Sequence, residues 1–201
     1  MAKKQESMSL TDSINKQMQR LAAGRPVTDN RIHIALPHAE HILQRGLVHF
    51  LGKDAQWLPE YHQIVEWLTD NKKKGLLCYG NCGRGKTLIT QHILPIVFIY
   101  YYRLVVSTHT ALELNENYKD IVWKKIISID DVGTEPEAND YGVRHRYFAE
   151  LVDECERKEK LLIVSTNLTG DELLARYGER TIDRLFALTN QVLFKGNSLR
   201  K

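Results

Sequence analysis

The stretch Gly80-Asn81-Cys82-Gly83-Arg84-Gly85-Lys86-Thr87 fits the spacing G-x-x-x-x-G-K-[ST] without a gap, and it prescribes a path of strand, tight loop and helix. Glycines make that path possible. Gly80 allows the turn off the strand, and Gly83 and Gly85 allow close approaches that a Cβ would obstruct. The amide N–H groups of the loop, including those of Asn81, Cys82 and Arg84, would then wrap phosphate oxygens at the positive end of the helix. Lys86 would reach the β/γ oxygens, and Thr87 would offer its hydroxyl to Mg²⁺. The alternative is a glycine-rich turn that precedes Lys-Thr by chance. The flanks speak against chance: Gly75-Leu76-Leu77-Cys78-Tyr79 reads as a buried strand, and Leu88 to Leu94 reads as the following helix. A nucleoside triphosphate is therefore the first ligand to consider.

With 201 residues and 43% hydrophobic content, one main core and a small appendage are expected. The 28 Lys+Arg against 25 Asp+Glu give a formal net charge of +3, which permits nucleic-acid contact without demonstrating it. Three cysteines, two of them in or beside the phosphate loop, fit reduced thiols in a cytoplasm. The start, Met1 to Ser7, lacks the apolar core of a signal peptide, and the apolar run Ile93 to Val106 is broken by Pro95 and Arg103. No membrane association is expected, and a soluble cytoplasmic protein is.

Residues 1–54 read as a helical amino-terminal extension and residues 55–201 as the main domain. In the extension, Leu10, Ile14, Met18 and Leu21 form one stripe of a helix over Leu10 to Ala23, which either lies on the main core or docks on a partner. A second helix follows Pro37 to about Leu51, and a third spans Leu58 to Asp70. Trp57 and Tyr61 are either core residues or walls of a base pocket. From Gly75 onward, apolar runs alternate with helical patterns, which argues for a parallel sheet covered on both faces. The strands expected are Leu76–Tyr79, Leu104–Ser107, Ile126–Asp130, Leu161–Ser165 and Gln191–Lys195. Between the third and fourth, Tyr147, Phe148, Leu151, Val152 and Cys155 share one helical face.

Ile126-Ile127-Ser128-Ile129-Asp130-Asp131 is an apolar strand ending in two carboxylates, which suits the strand beside a phosphate loop. Asp130 would hold Mg²⁺, and Asp131 would polarise the attacking water as general base. Leu161 to Asn167 is another apolar run ending in polar residues, and the Asn167 amide either orients that water or senses the γ-phosphate, or merely forms an Asx-turn. Thr169-Gly170-Asp171-Glu172 has the spacing of a capping box and starts a helix. Arg180 and Arg184 are four residues apart, on one face if helical. They are surface ion-pair residues in a monomer, or arginine fingers for a neighbour's site in an oligomer.

Gly80–Thr87, Ile126–Gly133, Ser165-Thr166-Asn167 and Tyr177–Leu185, in this order, resemble the AAA+ ATPases of the DnaC/IstB group, the bacterial helicase loaders and transposition helper ATPases. The resemblance covers about residues 55 to 195. It implies a P-loop NTPase of α/β class, a three-layer sandwich around a five-stranded parallel sheet of order 5-1-4-3-2, and Mg²⁺-dependent ATP hydrolysis. It further implies an ATP-dependent homo-oligomer with ATP between subunits, Asn167 as first sensor, and Arg184, or failing that Arg180, as finger. Single-stranded or duplex DNA, and a replicative helicase or a transposase, would be the partners. Seventeen residues follow Arg184, so no or minimal carboxy-terminal lid is expected. Thr108 to Lys125 is shorter than the group leads one to expect, and the amino-terminal segment does not match the loaders' helicase-binding domain. A small-molecule P-loop kinase and a non-hydrolysing nucleotide-dependent adaptor are the competing readings. A kinase needs an acceptor pocket and usually lid arginines, and this sequence has no arginine-rich lid segment.

Overall fold

Strand β1 (Gly75–Gly80) has no wet face, as the apolar run Leu76-Leu77-Cys78 requires, and it sits inside a parallel sheet. The computed structural model describes residues 29–136, 138–140 and 143–199, and its packed unit begins at Arg31. The stripe from Leu10 to Ala23 lies outside the described residues. The sheet comprises β1, β2 (Ser107–Thr110), β3 (Ile126–Asp130), β6 (Leu161–Thr166) and β7 (Thr189–Phe194), in the order β2-β3-β6-β1-β7. Counting these five alone, that is the 5-1-4-3-2 arrangement. Every pairing is parallel, with Leu76 opposite Ile163 and Asn190, and Ser128 opposite Ile163. A separate antiparallel hairpin joins β4 (Ala138–Asp140) to β5 (Val143–His145).

Helices cover both faces, and each face has its own core. One core gathers Leu43 and Leu47 of α1 (Ala39–Leu51), Ile64 and Trp67 of α2 (Tyr61–Thr69), and Phe98. Residues 31–54 of the expected extension thus include a helix packed into the same core as β1. The other gathers Leu114 of α4 (Ala111–Ile121), Phe148 and Leu151 of α5 (Tyr147–Arg157), and Leu173 and Leu185 from α6 (Gly170–Tyr177) and α7 (Glu179–Leu188). The helix after the phosphate loop, α3, runs in three pieces: π-helical Leu88–Ile93, α-helical Leu94–Val97 and π-helical Phe98–Tyr102. Pro95, which has no N–H to donate, falls at the start of the α-helical piece, where the hydrogen-bond register changes.

Two strands differ from the reading of the sequence: β7 begins at Thr189, two residues ahead of the expected Gln191, and β2 is displaced further. The apolar letters Leu104 to Val106 suggest a strand there, yet β2 starts at Ser107. Arg103 ends α3 in the left-handed region (φ 57°), Leu104 N–H donates back to Phe98 O (3.2 Å), and Val105 is 73% exposed. At a sheet edge, with one flank unpaired, the strand is set by register with β3 (Thr110 opposite Asp130) rather than by hydrophobic content. No helix among the described residues is long and apolar enough to cross a membrane.

Candidate nucleotide site

Because the strands are parallel, β1, β3 and β6 release their chains at one edge of the sheet, and the side chains singled out by motif meet there. Gly80 leaves β1 with φ 108°, and a Cβ at this position would lie 2.5 Å from Phe194 O, so the loop can start beside β7 only with glycine. Asn81 N–H donates to Phe194 O (2.9 Å), and its side-chain amide donates to Gly196 O (2.9 Å).

Lys86 is buried and fully engaged: its Nζ donates to Gly80 O (2.9 Å), Asn81 O (2.7 Å) and Asn167 Oδ1 (2.8 Å). Burial pulls its pKa below the ordinary lysine value, while the nearby thiols and Asp131 and Asp130 act the other way. The amide of Asn167 faces both ways. Its Nδ2 donates to Asp131 Oδ1 (3.2 Å), so one side chain just past β6 links the loop lysine to the carboxylate that follows β3. Asp131 holds a left-handed backbone (φ 52°), which Asp tolerates better than most residues. Asp130 is buried, and its Oδ1 accepts from Thr87 Oγ1 (3.2 Å) and from the hydroxyl of Ser165. Among the described residues no cation lies within ion-pair distance of Asp130. A buried carboxylate met by hydroxyl dipoles alone, with a threonine hydroxyl alongside, is a fitting donor set for a hard divalent cation.

Cys82, Gly83, Gly85, Lys86, Thr87, Asp131 and Asn167 all line one cleft of about 480 Å³, which continues past Tyr61 to Leu51, Asp54, Gln56 and Leu199. Its size is that of a small-molecule site. Of the two aromatic candidates, Tyr61 reaches this cleft and donates its hydroxyl to Arg84 O (3.1 Å), and burial raises its pKa to about 12. Trp57 packs edge-on against Tyr61 and donates to His62 Nε2 (3.2 Å).

Arg84 lines the cleft, and its nearly buried side chain is held at three points: Nε and Nη2 donate to the two carboxylate oxygens of Glu60 (2.5 and 3.0 Å), and Nη1 donates to Asn197 O (3.2 Å). No motif in the sequence marks this pair, because Glu60 lies 24 positions upstream and nothing in its surroundings identifies it as a partner. Arg180 and Arg184 do not reach the cleft of their own chain. From α7 they face α5, where Arg184 contacts Asp153 and Glu156 (Nε to Oε2 3.1 Å), and Arg180 lies 3.9 Å from Asp153.

No protein-family model and no curated protein sequence matches the chain. Its fold does have solved counterparts. DnaI superposes with a TM-score of 0.53 over 89% of each chain at 16% identity. Domain III of the Thermotoga maritima replication initiation protein DnaA gives 0.52 at 20% identity, over 71% of this chain and 65% of that one. AMPPCP-bound DnaA from Aquifex aeolicus gives 0.50 at 13% identity, over 68% of this chain and 48% of that one. The chain thus shares the α/β fold of these proteins, with its five-stranded parallel sheet, which fits the resemblance carried by the motifs.

Proposed function

We propose that this chain is an ATP-binding and ATP-hydrolysing AAA+ switch acting in DNA replication in the manner of a helicase loader. The observation that carries the reading is the bridge Lys86–Asn167–Asp131, which joins the phosphate loop to a carboxylate suited to general-base work through an amide that can sense either. Its support from outside the chain is the fold shared with DnaI and with DnaA, the latter solved with a triphosphate analogue.

On this reading the loop amides and Lys86 hold the β- and γ-phosphates. Asn167 orients a water at the γ-phosphorus, and Asp131 takes its proton as the water oxygen bonds to phosphorus and the β–γ bridging bond breaks. Thr87 and Asp130 would hold Mg²⁺, which supplies charge neutralisation at the phosphates when bound. Arg184, with Arg180 as substitute, would complete the site of a neighbouring copy, and the residues ahead of Arg31 would contact a replicative helicase, with DNA as a further partner. Cytoplasmic residence goes with this role.

The test is ATP hydrolysis and self-association with and without single-stranded and duplex DNA. Expected are ATP-dependent assembly and a DNA-stimulated rate that Lys86→Ala and Asp131→Asn each remove, with Asp131→Asn still binding ATP. A monomer indifferent to ATP and DNA overturns the proposal, and capture of a transposase by the Asp131→Asn trap would redirect it to transposition.

A further inference from the structure

Beyond the phosphate loop itself, the segment after β7 is tied to the loop at almost every residue. Gly196 O accepts from the Asn81 side chain (2.9 Å), Asn197 O accepts from Arg84 Nη1 (3.2 Å), and Leu199 N–H donates to Gly83 O (2.9 Å). The fit is close at both glycines: a Cβ on Gly83 would lie 2.1 Å from Ser198 Oγ, and one on Gly196 would lie 2.5 Å from Arg84 Nη1. Gly83, which the phosphate motif leaves free, is therefore fixed by contact with this tail. Arg84 extends the attachment inward, since the guanidinium that holds Asn197 is itself held by Glu60 in a pair whose side chains are only 9% and 6% exposed. A tail so anchored is positioned by the fold.

Its last described residue lines the cleft. Leu199 lines the cleft together with Leu51, and both remain about two-fifths exposed (42% and 40%) although they are large and apolar. Asp54 and Gln56 bring polar groups to the same cleft. Two uncovered leucines with a polar margin suit a flat heteroaromatic ring that has apolar faces and hydrogen-bonding edges. The cleft keeps about 480 Å³ with the tail in place, so the tail bounds the space without filling it.

We propose that residues 196–199 are the wall of the base subsite, with Leu199 covering the base of a bound nucleoside triphosphate and the Arg84–Glu60 pair positioning that wall on the phosphate loop. The inference rests on the nucleotide reading of the same cleft. It gives Arg84 and Glu60 a positioning role, distinct from phosphate contact.

Two probes separate the parts of the site: ATP, and inorganic tripolyphosphate, which has the phosphates but no base. Titration calorimetry on the full chain is expected to show Leu199→Ala weakening ATP about five- to tenfold, as loss of most of a leucine's apolar cover implies, with tripolyphosphate unchanged within twofold. Removal of residues 196–201 is expected to weaken both, because it also releases Gly83 and Arg84 from the tail. Thermal melts accompany each titration, and Leu199→Ala, a partly exposed position, is expected to melt with the wild type. ATP affinity unchanged in both variants, or raised by the truncation as removal of a plug would do, overturns the wall. Equal weakening of ATP and tripolyphosphate by Leu199→Ala also overturns it. If the wild type binds neither probe, the nucleotide reading itself fails and the wall with it.

Discussion

Two arginine–carboxylate clusters in this molecule share their chemistry and differ in exposure. Arg84 and Glu60 meet in a two-point pair with side chains 9% and 6% exposed, whereas Arg184 and Arg180 face Asp153 with side chains 28%, 77% and 48% exposed. A charge out of water is held in place, because its partner's removal strands it in a medium that solvates it poorly; a charge in water exchanges partners at little cost. The first cluster is thus part of the loop's frame. The second leaves its guanidinium groups able to trade a carboxylate of their own chain for an anion brought by another molecule.

That contrast breaks most readily at Glu60. Glu60→Ala leaves a buried guanidinium unpaired and is expected to cost about 3–5 kcal/mol in denaturant unfolding. A loss below about 1 kcal/mol would mean that water reaches the pair and that the two clusters are alike. Next comes Arg184→Ala, expected to change stability by no more than about 1 kcal/mol while lowering ATP turnover of the assembled protein on the order of 10³-fold. Mixing Lys86→Ala with Arg184→Ala subunits should then restore part of the activity, because one intact composite site can form from two defective chains. No recovery at any ratio would remove Arg184 from the neighbour's site. Arg180→Ala should have a smaller effect, within about 0.5 kcal/mol in stability and a few-fold in turnover; a loss exceeding that of Arg184→Ala would exchange their roles.

The smallest effect concerns a carboxylate held by neutral donors. Glu172 accepts from the N–H and hydroxyl of Thr169 (2.7 and 2.9 Å), and these bonds hold its carboxyl below the ordinary 4.5. A folded-state value below the unfolded one means that its stabilising contribution is complete above about pH 4.5 and is lost as the pH falls through the lower folded value. Glu172→Gln is expected to flatten the stability profile slightly in that acid window, leaving the variant slightly less stable than the wild type at neutral pH and equal to it below the folded value. An unaltered acid slope would show that the cap carries no charge-dependent stability.

The residues that were legible in the sequence are those whose role follows from local order. β3 has the expected bounds because five consecutive residues are buried, the Thr169–Glu172 capping box forms as its spacing requires, and the apolar face of α5 is the one that periodicity marks. Lys86, Thr87, Asp130, Asp131 and Asn167 come together because each ends or follows a strand of one parallel sheet. What the sequence did not show depends on contacts between distant segments. The Arg84–Glu60 pair and the tail on Gly83 have no periodicity, and the hairpin β4–β5 has short strands without a strong alternating pattern. The start of β2 is illegible for a related reason: hydrophobic letters report burial, and Val105 is not buried.

The cysteines give the cleft a chemical handle. Cys82 is exposed and lines the cleft, whereas Cys78 and Cys155 are buried, their thiols pushed up by burial, that of Cys155 to about 12. The folded chain therefore presents a single alkylatable position to a maleimide, and it lies where the triphosphate is proposed to sit. The rate at which that thiol is labelled becomes an occupancy meter for the cleft, needing neither turnover nor a partner protein.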